Sequence, residues 1–295
     1  MTDHAYPTFD IVNLIADKIP NEMLNIDRFE GYLVSNPHLN SVHGHHYYHV
    51  AFFTKGKGNH LIDFEYFPIE NGTIYFMNPS QVHQWFFDSE IEGYVINFSD
   101  TFFDWLSIHS NILQQFPFFN SPKLKNQTFQ LDKISVEKIT SIFEEMLDEM
   151  KEEKTYSNLI LALKLLEIFA LTGRYFPTKI EIPEKQKQNS ITLKKFQNLI
   201  EENFKNIRLP KYYAELLHIT PNHLNVICKE LTGISAGEFI RNRIILEAKR
   251  LLINFDLSVS EIAYNLNFQD TSYFVKFFKK STQITPEVFR KKFYK

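Results

Sequence analysis

Two groups of residues in this 295-residue chain have the types and spacing for chemistry. The first is HGHHYYH, which supplies His43, His45, His46 and His49, with His83 following further on. Residues two apart on a β-strand share a face, so His43 and His45 point together, and imidazole serves both as a hydrogen-bonding group and as a ligand for Zn, Fe, Ni or Cu. The second group lies on two helix faces near the C-terminus: Asn222, His223, Asn225, Val226 and Lys229 on one, and Thr271, Ser272, Tyr273, Val275, Lys276 and Lys279 on the other. Asn reads adenine bidentately, Val meets a thymine methyl, and Lys holds phosphates, so this chemistry is that of a DNA-reading surface.

Each face needs a helix-turn-helix to carry it. In YYAELLHITPNHLNVICKELTG, Tyr212 to Gly233, the residues Ala214, Leu216 and Leu217 face a core, and after a polar turn Thr220 caps a second helix that opens with Pro221. Leu224, Ile227, Cys228 and Leu231 turn inward there. In SVSEIAYNLNFQDTSYFVKFFKKST, Ser258 to Thr282, the pair Ser258 and Glu261 has capping-box spacing, Ile262, Ala263 and Leu266 form the buried stripe, and Asp270 caps a helix that buries Phe274, Phe277 and Phe278. Between the two copies SAGEFIRNRIILEAKRLLINF, with Ser235 and Glu238 as another capping box, makes one helix of about 19 residues or about 28 Å. Two readers on such a rod enter successive major-groove segments about 34 Å apart on one face of DNA.

Net charge is only −3, yet the total conceals a division. Residues 191–295 hold 17 Lys and Arg against 10 Asp and Glu, a balance of +7, which leaves −10 for residues 1–190. A basic helical domain suits a phosphate binder and an acidic companion does not. Hydrophobic residues at 44% and charged residues at 23% describe a folded soluble protein. No apolar run reaches the roughly 20 residues of a membrane span, and MTDHAYPTFD lacks the features of a signal peptide, so a cytoplasmic protein without a membrane partner is expected. The single cysteine, Cys228, excludes an internal disulfide and reads as a buried apolar residue.

From Arg28 to Phe98 short runs of Tyr, Phe, Val and Ile alternate with turn signals, predicting strands near 28–34, 46–54, 58–67, 73–77, 83–87 and 91–98 of a β-barrel or sandwich. A short helix or strand near 9–14 precedes them. Short helices around Pro117 follow, then long helices over 134–153 and 156–175, the second so apolar that a second subunit is expected to cover part of it. The fold class is α+β in two domains: residues 1–176 a barrel with C-terminal helices, 177–190 a linker, 191–295 an all-α domain with two helix-turn-helix motifs.

Through RIILEAKRLL, LSVSEIAYNLNFQDTSYFVKFFKK and ITPEVFR, residues 191–295 resemble the DNA-binding domain of the AraC/XylS family of bacterial transcription regulators. The resemblance implies a seven-helix domain with two helix-turn-helix motifs, promoter DNA and RNA polymerase as partners, and usually activation. Asn267 and Gln283 stand where the family has Gly at left-handed positions, which Asn tolerates better than Gln.

The HGHHYYH stretch resembles a cupin: His43-x-His45, then position 49, Gly56, Gly72, and His83 at the metal-cupin spacing, with His49 in place of the usual Glu. A mononuclear metal on His43, His45, His49 and His83 is chemically reasonable. Regulators with this barrel commonly keep the histidine pattern without a metal. The preferred expectation is therefore no cofactor and a small organic effector held by His43, His45, Tyr48, Phe52, Tyr75, His83 and Trp85 within an aromatic wall that Phe76 and Tyr94 extend, in a homodimer joined through the helices of the first domain. The competing reading is a metal-dependent cupin enzyme or metal sensor fused to a DNA-binding domain.

Overall fold

The computed structural model describes residues 7–14, 23–99, 101–104, 110–121, 124–152, 154–176, 184–253 and 256–292. The chain divides into two compact units, residues 7–178 and 179–295.

The first unit begins with β1 (Thr8–Phe9), a 3-10 turn at Ile11–Leu14, β2 (Leu24–Arg28), α1 (Phe29–Ser35), a 3-10 turn at Pro37–Asn40 and β3 (His43–His45). Then come β4 (Tyr48–Lys55), β5 (Gly58–Ile62), β6 (Glu65–Ile69), β7 (Thr73–Met77), β8 (Val82–Phe87) and β9 (Glu92–Phe98). A 3-10 stretch at Ser110–Gln115, α2 (Pro117–Asn120), β10 (Thr128–Gln130), α3 (Lys133–Glu152) and α4 (Ser157–Gly173) complete it. Two five-stranded sheets, ordered β1-β3-β8-β5-β6 and β10-β7-β4-β9-β2, pack as a cupin-like barrel.

Both faces of the second sheet are covered, which is why β4 reads as an unbroken apolar run instead of an alternating one. Ala51, Phe53, Tyr75, Met77 and Val95 face the other sheet, where they meet Ile62, Phe67, Ile69 and Trp85. Their alternates Val50, Phe52, Ile74, Phe76, Tyr94 and Ile96 pack against Phe143 and Met146 of α3 and Leu165 and Phe169 of α4. The period-two alternation of strand side chains assigns each residue to one layer or the other.

Two strand expectations are corrected. The strand expected at 28–34 ends at Arg28, and the chain turns at once into α1, because Phe29 and Tyr32 bury at a helical spacing of three while Val34 is 81% exposed. The single strand expected at 58–67 is a hairpin, β5 to β6. Its two-residue turn, Asp63-Phe64, has φ of 45° and 75°, the left-handed pair of a type I′ turn. Asp63 holds that turn by accepting from Val82 N at 3.2 Å and Gln81 Nε2 at 3.1 Å. Pro68 in β6 is tolerated because β6 lies at the sheet edge.

The second unit is helical: α5 (Glu184–Asn203), α6 (Pro210–Leu216), α7 (Pro221–Thr232), α8 (Ala236–Leu252), α9 (Val259–Asn265), α10 (Thr271–Thr282) and α11 (Pro286–Lys291). Helix α5 starts inside the expected linker, so residues 184–190 are helical. Their Glu, Lys and Gln are good helix formers, whereas 177–183 fall outside the described residues. Every expected cap forms. Thr220 accepts from His223 N and Asp270 from Tyr273 N, and both Ser235–Glu238 and Ser258–Glu261 close full capping boxes; Thr285 also caps α11, accepting from Val288 N.

Candidate nucleic-acid interface and barrel interior

The two helix-turn-helix units are the same turn built twice. After α6, His218 takes φ 55°, its N–H donates to Glu215 O, and Ile219 N donates back to Ala214 O, both at 3.0 Å. After α9, Asn267 takes φ 61°, its N–H donates to Tyr264 O at 2.8 Å, and Phe268 N donates to Ala263 O at 2.9 Å. This left-handed cap ends one helix and aims the next. Helix α8 spans 17 residues between the copies, about 25 Å at the standard rise, two residues shorter than expected. Two arginines brace the assembly. Arg208 donates to Leu266 O at 2.6 Å with its guanidinium 3.8 Å from the Phe268 ring centre, and Arg290 donates to Leu252 O and Leu257 O at 3.1 and 2.6 Å.

Of the residues expected to face DNA, Asn222, His223, Val226 and Lys229 on α7 and Ser272, Tyr273, Lys276 and Lys279 on α10 are exposed. Thr271 and Val275 are half-buried. Asn225 is also half-buried, and its Oδ1 accepts from Ala236 N at 3.2 Å, tying α7 to the first turn of α8. Phe274 and Phe278 are buried as expected; Phe277 is half-buried against the Phe268 ring. Cys228 is fully buried, which pushes its thiol up to about 12 and makes it an inert packing residue.

Inside the barrel, five histidines gather: His43, His45, His49, His60 and His83, each at most 1% exposed. Strand register brings them together. His43 on β3 lies opposite His83 on β8, His60 on β5 opposite Trp85, and His49 on β4 opposite Asn97 on β9. Each ring is held from one side. Nδ1 of His43 meets Ser41 O at 2.9 Å, Nδ1 of His45 meets Tyr47 O at 2.7 Å, Nδ1 of His49 meets Asn97 Oδ1 at 2.6 Å, and His60 Nε2 meets His83 Nδ1 at 2.9 Å. Burial pushes His43 and His49 down to about 4, and burial with the neighbouring histidines holds His45, His60 and His83 well below the ordinary range, so the rings are neutral at pH 7.

A helix-turn-helix domain model matches residues 213–292, and a model of the AraC-like ligand binding domain matches residues 30–169. The chain belongs to the AraC/XylS family. It is 25% identical over 160 residues to the uncharacterised HTH-type transcriptional regulator YijO of Escherichia coli (strain K12), covering 53% of this chain and 54% of YijO. It is 23% identical over 272 residues to the uncharacterised HTH-type transcriptional regulator YfiF of Bacillus subtilis (strain 168), covering 87% of this chain and 81% of YfiF. Among solved structures, the C-terminal domain of the two-component response regulator yesN from Fusobacterium nucleatum is 32% identical, covering 35% of this chain and 98% of that domain, with a TM-score of 0.31. The chain thus spans about half the length of YijO and most of YfiF.

Within the AraC-like ligand binding domain, the expected effector residues separate. His43, His45, Tyr75, His83 and Trp85 meet between the sheets, while Tyr48 and Phe52 point the other way and do not join them. Tyr48 stacks on Phe98 at 5.0 Å, and Phe52 stacks on Tyr94 and Phe143 at 6.2 and 5.7 Å, on the side of β4 that the helices cover. His49, one residue from Tyr48, takes the inward face instead. Phe76 and Tyr94, also placed in the aromatic wall, belong to the helix side too. The residues that sequence reasoning missed are His60, stacked on Trp85 at 3.5 Å, and Asn97, the partner of His49. His60 stands in NHLID with the alternation of a strand, and its period with Ile62 was the available signal.

Proposed function

We propose that this AraC/XylS chain is a sequence-specific DNA-binding regulator of transcription, an activator and not an enzyme, whose barrel senses a small ligand. The repeated turn at His218 and Asn267 carries the reading, because it sets two outward-facing helices on one rigid connecting helix in a domain of balance +7. Promoter DNA, RNA polymerase and a second copy of the chain are the partners this role calls for. Leu159 and Leu163, 37% and 55% exposed on α4, support the homodimer. A cytoplasmic place suits the role, and among the described residues no helix is long and apolar enough to cross a membrane.

Mobility shifts on promoter fragments at two salt concentrations test the DNA surface. Lys276→Ala is expected to weaken binding across sequences and to lower the salt slope by about one. Asn225→Ala is expected to act differently, lowering the melting temperature as well as affinity, because it strips Ala236 N of its partner at a cost of about 1 kcal/mol. An unchanged salt slope in Lys276→Ala removes that lysine from the phosphate contacts.

A further inference from the structure

The two helix-turn-helix units share α8, and a second attachment also joins them. The loop between α5 and α6 reaches across from the first unit to the turn of the second. Arg208 donates to Leu266 O at 2.6 Å and lays its guanidinium 3.8 Å from the centre of the Phe268 ring, while Asn206 Oδ1 accepts from Asn267 Nδ2 at 2.7 Å. Leu266, Asn267 and Phe268 form the turn that ends α9 and aims α10. Leu266 O lies at the end of α9, where carbonyls lack a partner within the helix and the dipole favours a cation, so an arginine suits it on both counts. Leu266 and Phe268 are buried and Arg208 is half-buried, which strengthens the bond by keeping it from bulk water.

The loop that carries these side chains is itself held. Asn206 N and Ile207 N donate to Asn203 O at 2.9 and 2.8 Å, and the Tyr213 hydroxyl donates to Ile207 O at 2.8 Å. Arg243 of α8 donates to Glu201 at 2.7 Å and to Glu247 at 2.9 Å, with its guanidinium 4.0 Å from the Phe204 ring centre, and so fastens the end of α5 to the connecting helix. A single helix of 17 residues curves along its length and frays at its ends, so an attachment away from its axis is what stops one unit turning against the other. That turning matters on DNA. With about 10–10.5 base pairs per turn, one base pair of altered spacing is a rotation of about 35° and a shift of about 3.4 Å.

We propose that Arg208 is a positioning residue that clamps the turn of the second helix-turn-helix to the first, fixing one angle between α7 and α10 and hence one spacing between the two DNA segments that the chain reads. The proposal rests on the two-reader account of DNA binding above. The test is in vitro selection from a random duplex pool by the full-length chain, followed by Kd measurements on the selected duplex with one base pair inserted or removed between its two segments. Arg208→Met keeps an apolar stem against Phe268 but gives up the donor and the charge. Lys205→Met removes one positive charge from the same loop, at an exposed position, and leaves the clamp intact. Linked modules gain roughly 10²–10⁴-fold from joint engagement and lose it when geometry forbids it, so wild type and Lys205→Met are expected to select one spacing and to lose at least about tenfold on insertion. Arg208→Met is expected to select the same two segments at a spread of spacings and to lose no more than about threefold. A residue that only stabilised the fold would lower affinity equally at every spacing. If Arg208→Met does not fold, Asn206→Ala, at an exposed position, carries the same test: a spread of spacings supports the clamp and a single spacing overturns it. A folded Arg208→Met that keeps the wild-type spacing and its penalty, or a spread of spacings already present in the wild type, overturns the clamp and leaves the two readers standing. A wild type that enriches no sequence defeats the two-reader account and the clamp with it.

Discussion

Gln283 ends α10 with φ 67° and ψ −3°, a left-handed backbone that charges a residue with a Cβ about 1–2 kcal/mol. Asn267 takes the same conformation at φ 61° but is better suited to it, and its Nδ2 donates to Asn206 Oδ1 at 2.7 Å. The two positions should therefore answer differently to glycine. Gln283→Gly is expected to raise domain stability by up to about 1 kcal/mol, while Asn267→Gly gains little or loses. Thermal unfolding of both variants checks this, and an equal response would show that backbone strain is not what distinguishes them. Both left-handed sites were expected from the resemblance to the AraC/XylS pattern, which has glycine at each of the two turns. The engagement of Asn225 was not: its partner, Ala236 N, is set by how α7 packs on α8, and an exposed polar residue reads the same in sequence as a bracketed one.

At the scale of elements, the caps were readable because each depends on residues three apart, and all four expected caps formed. The β5 to β6 hairpin was hidden because Asp63-Phe64 lacks the glycine that marks most such turns, and its geometry is held by Gln81 and Val82 from a later strand. Tyr48 and Phe52 were misplaced for a related reason. An apolar run buried on both faces gives no alternation from which to read its direction, and only the helices α3 and α4 define the second face. Helix α4 keeps one face uncovered, at Leu159 and Leu163. Leu163→Glu is expected to shift the full chain from dimer to monomer in sedimentation while leaving its fold intact, since the side chain is 55% exposed in the single chain. A sedimentation profile identical to wild type would count against a homodimer joined through α4.

For the whole molecule, the division of charge was the first sign of two roles, +7 in residues 191–295 against −10 before them. Composition could locate the DNA-facing unit, but it could not choose what the other unit holds. The histidine spacing allowed an organic effector or a metal, and the directions of the rings are set by Nδ1 partners that only the assembled sheets provide. The most direct measurement of the regulatory account is a footprint of the full-length chain on DNA from its own genome. The account predicts protection of two successive major-groove segments on one face of the duplex, about 34 Å apart, lost together when α7 and α10 are stripped of Lys229, Lys276 and Lys279. Binding without sequence preference, or a footprint of one segment only, would contradict it.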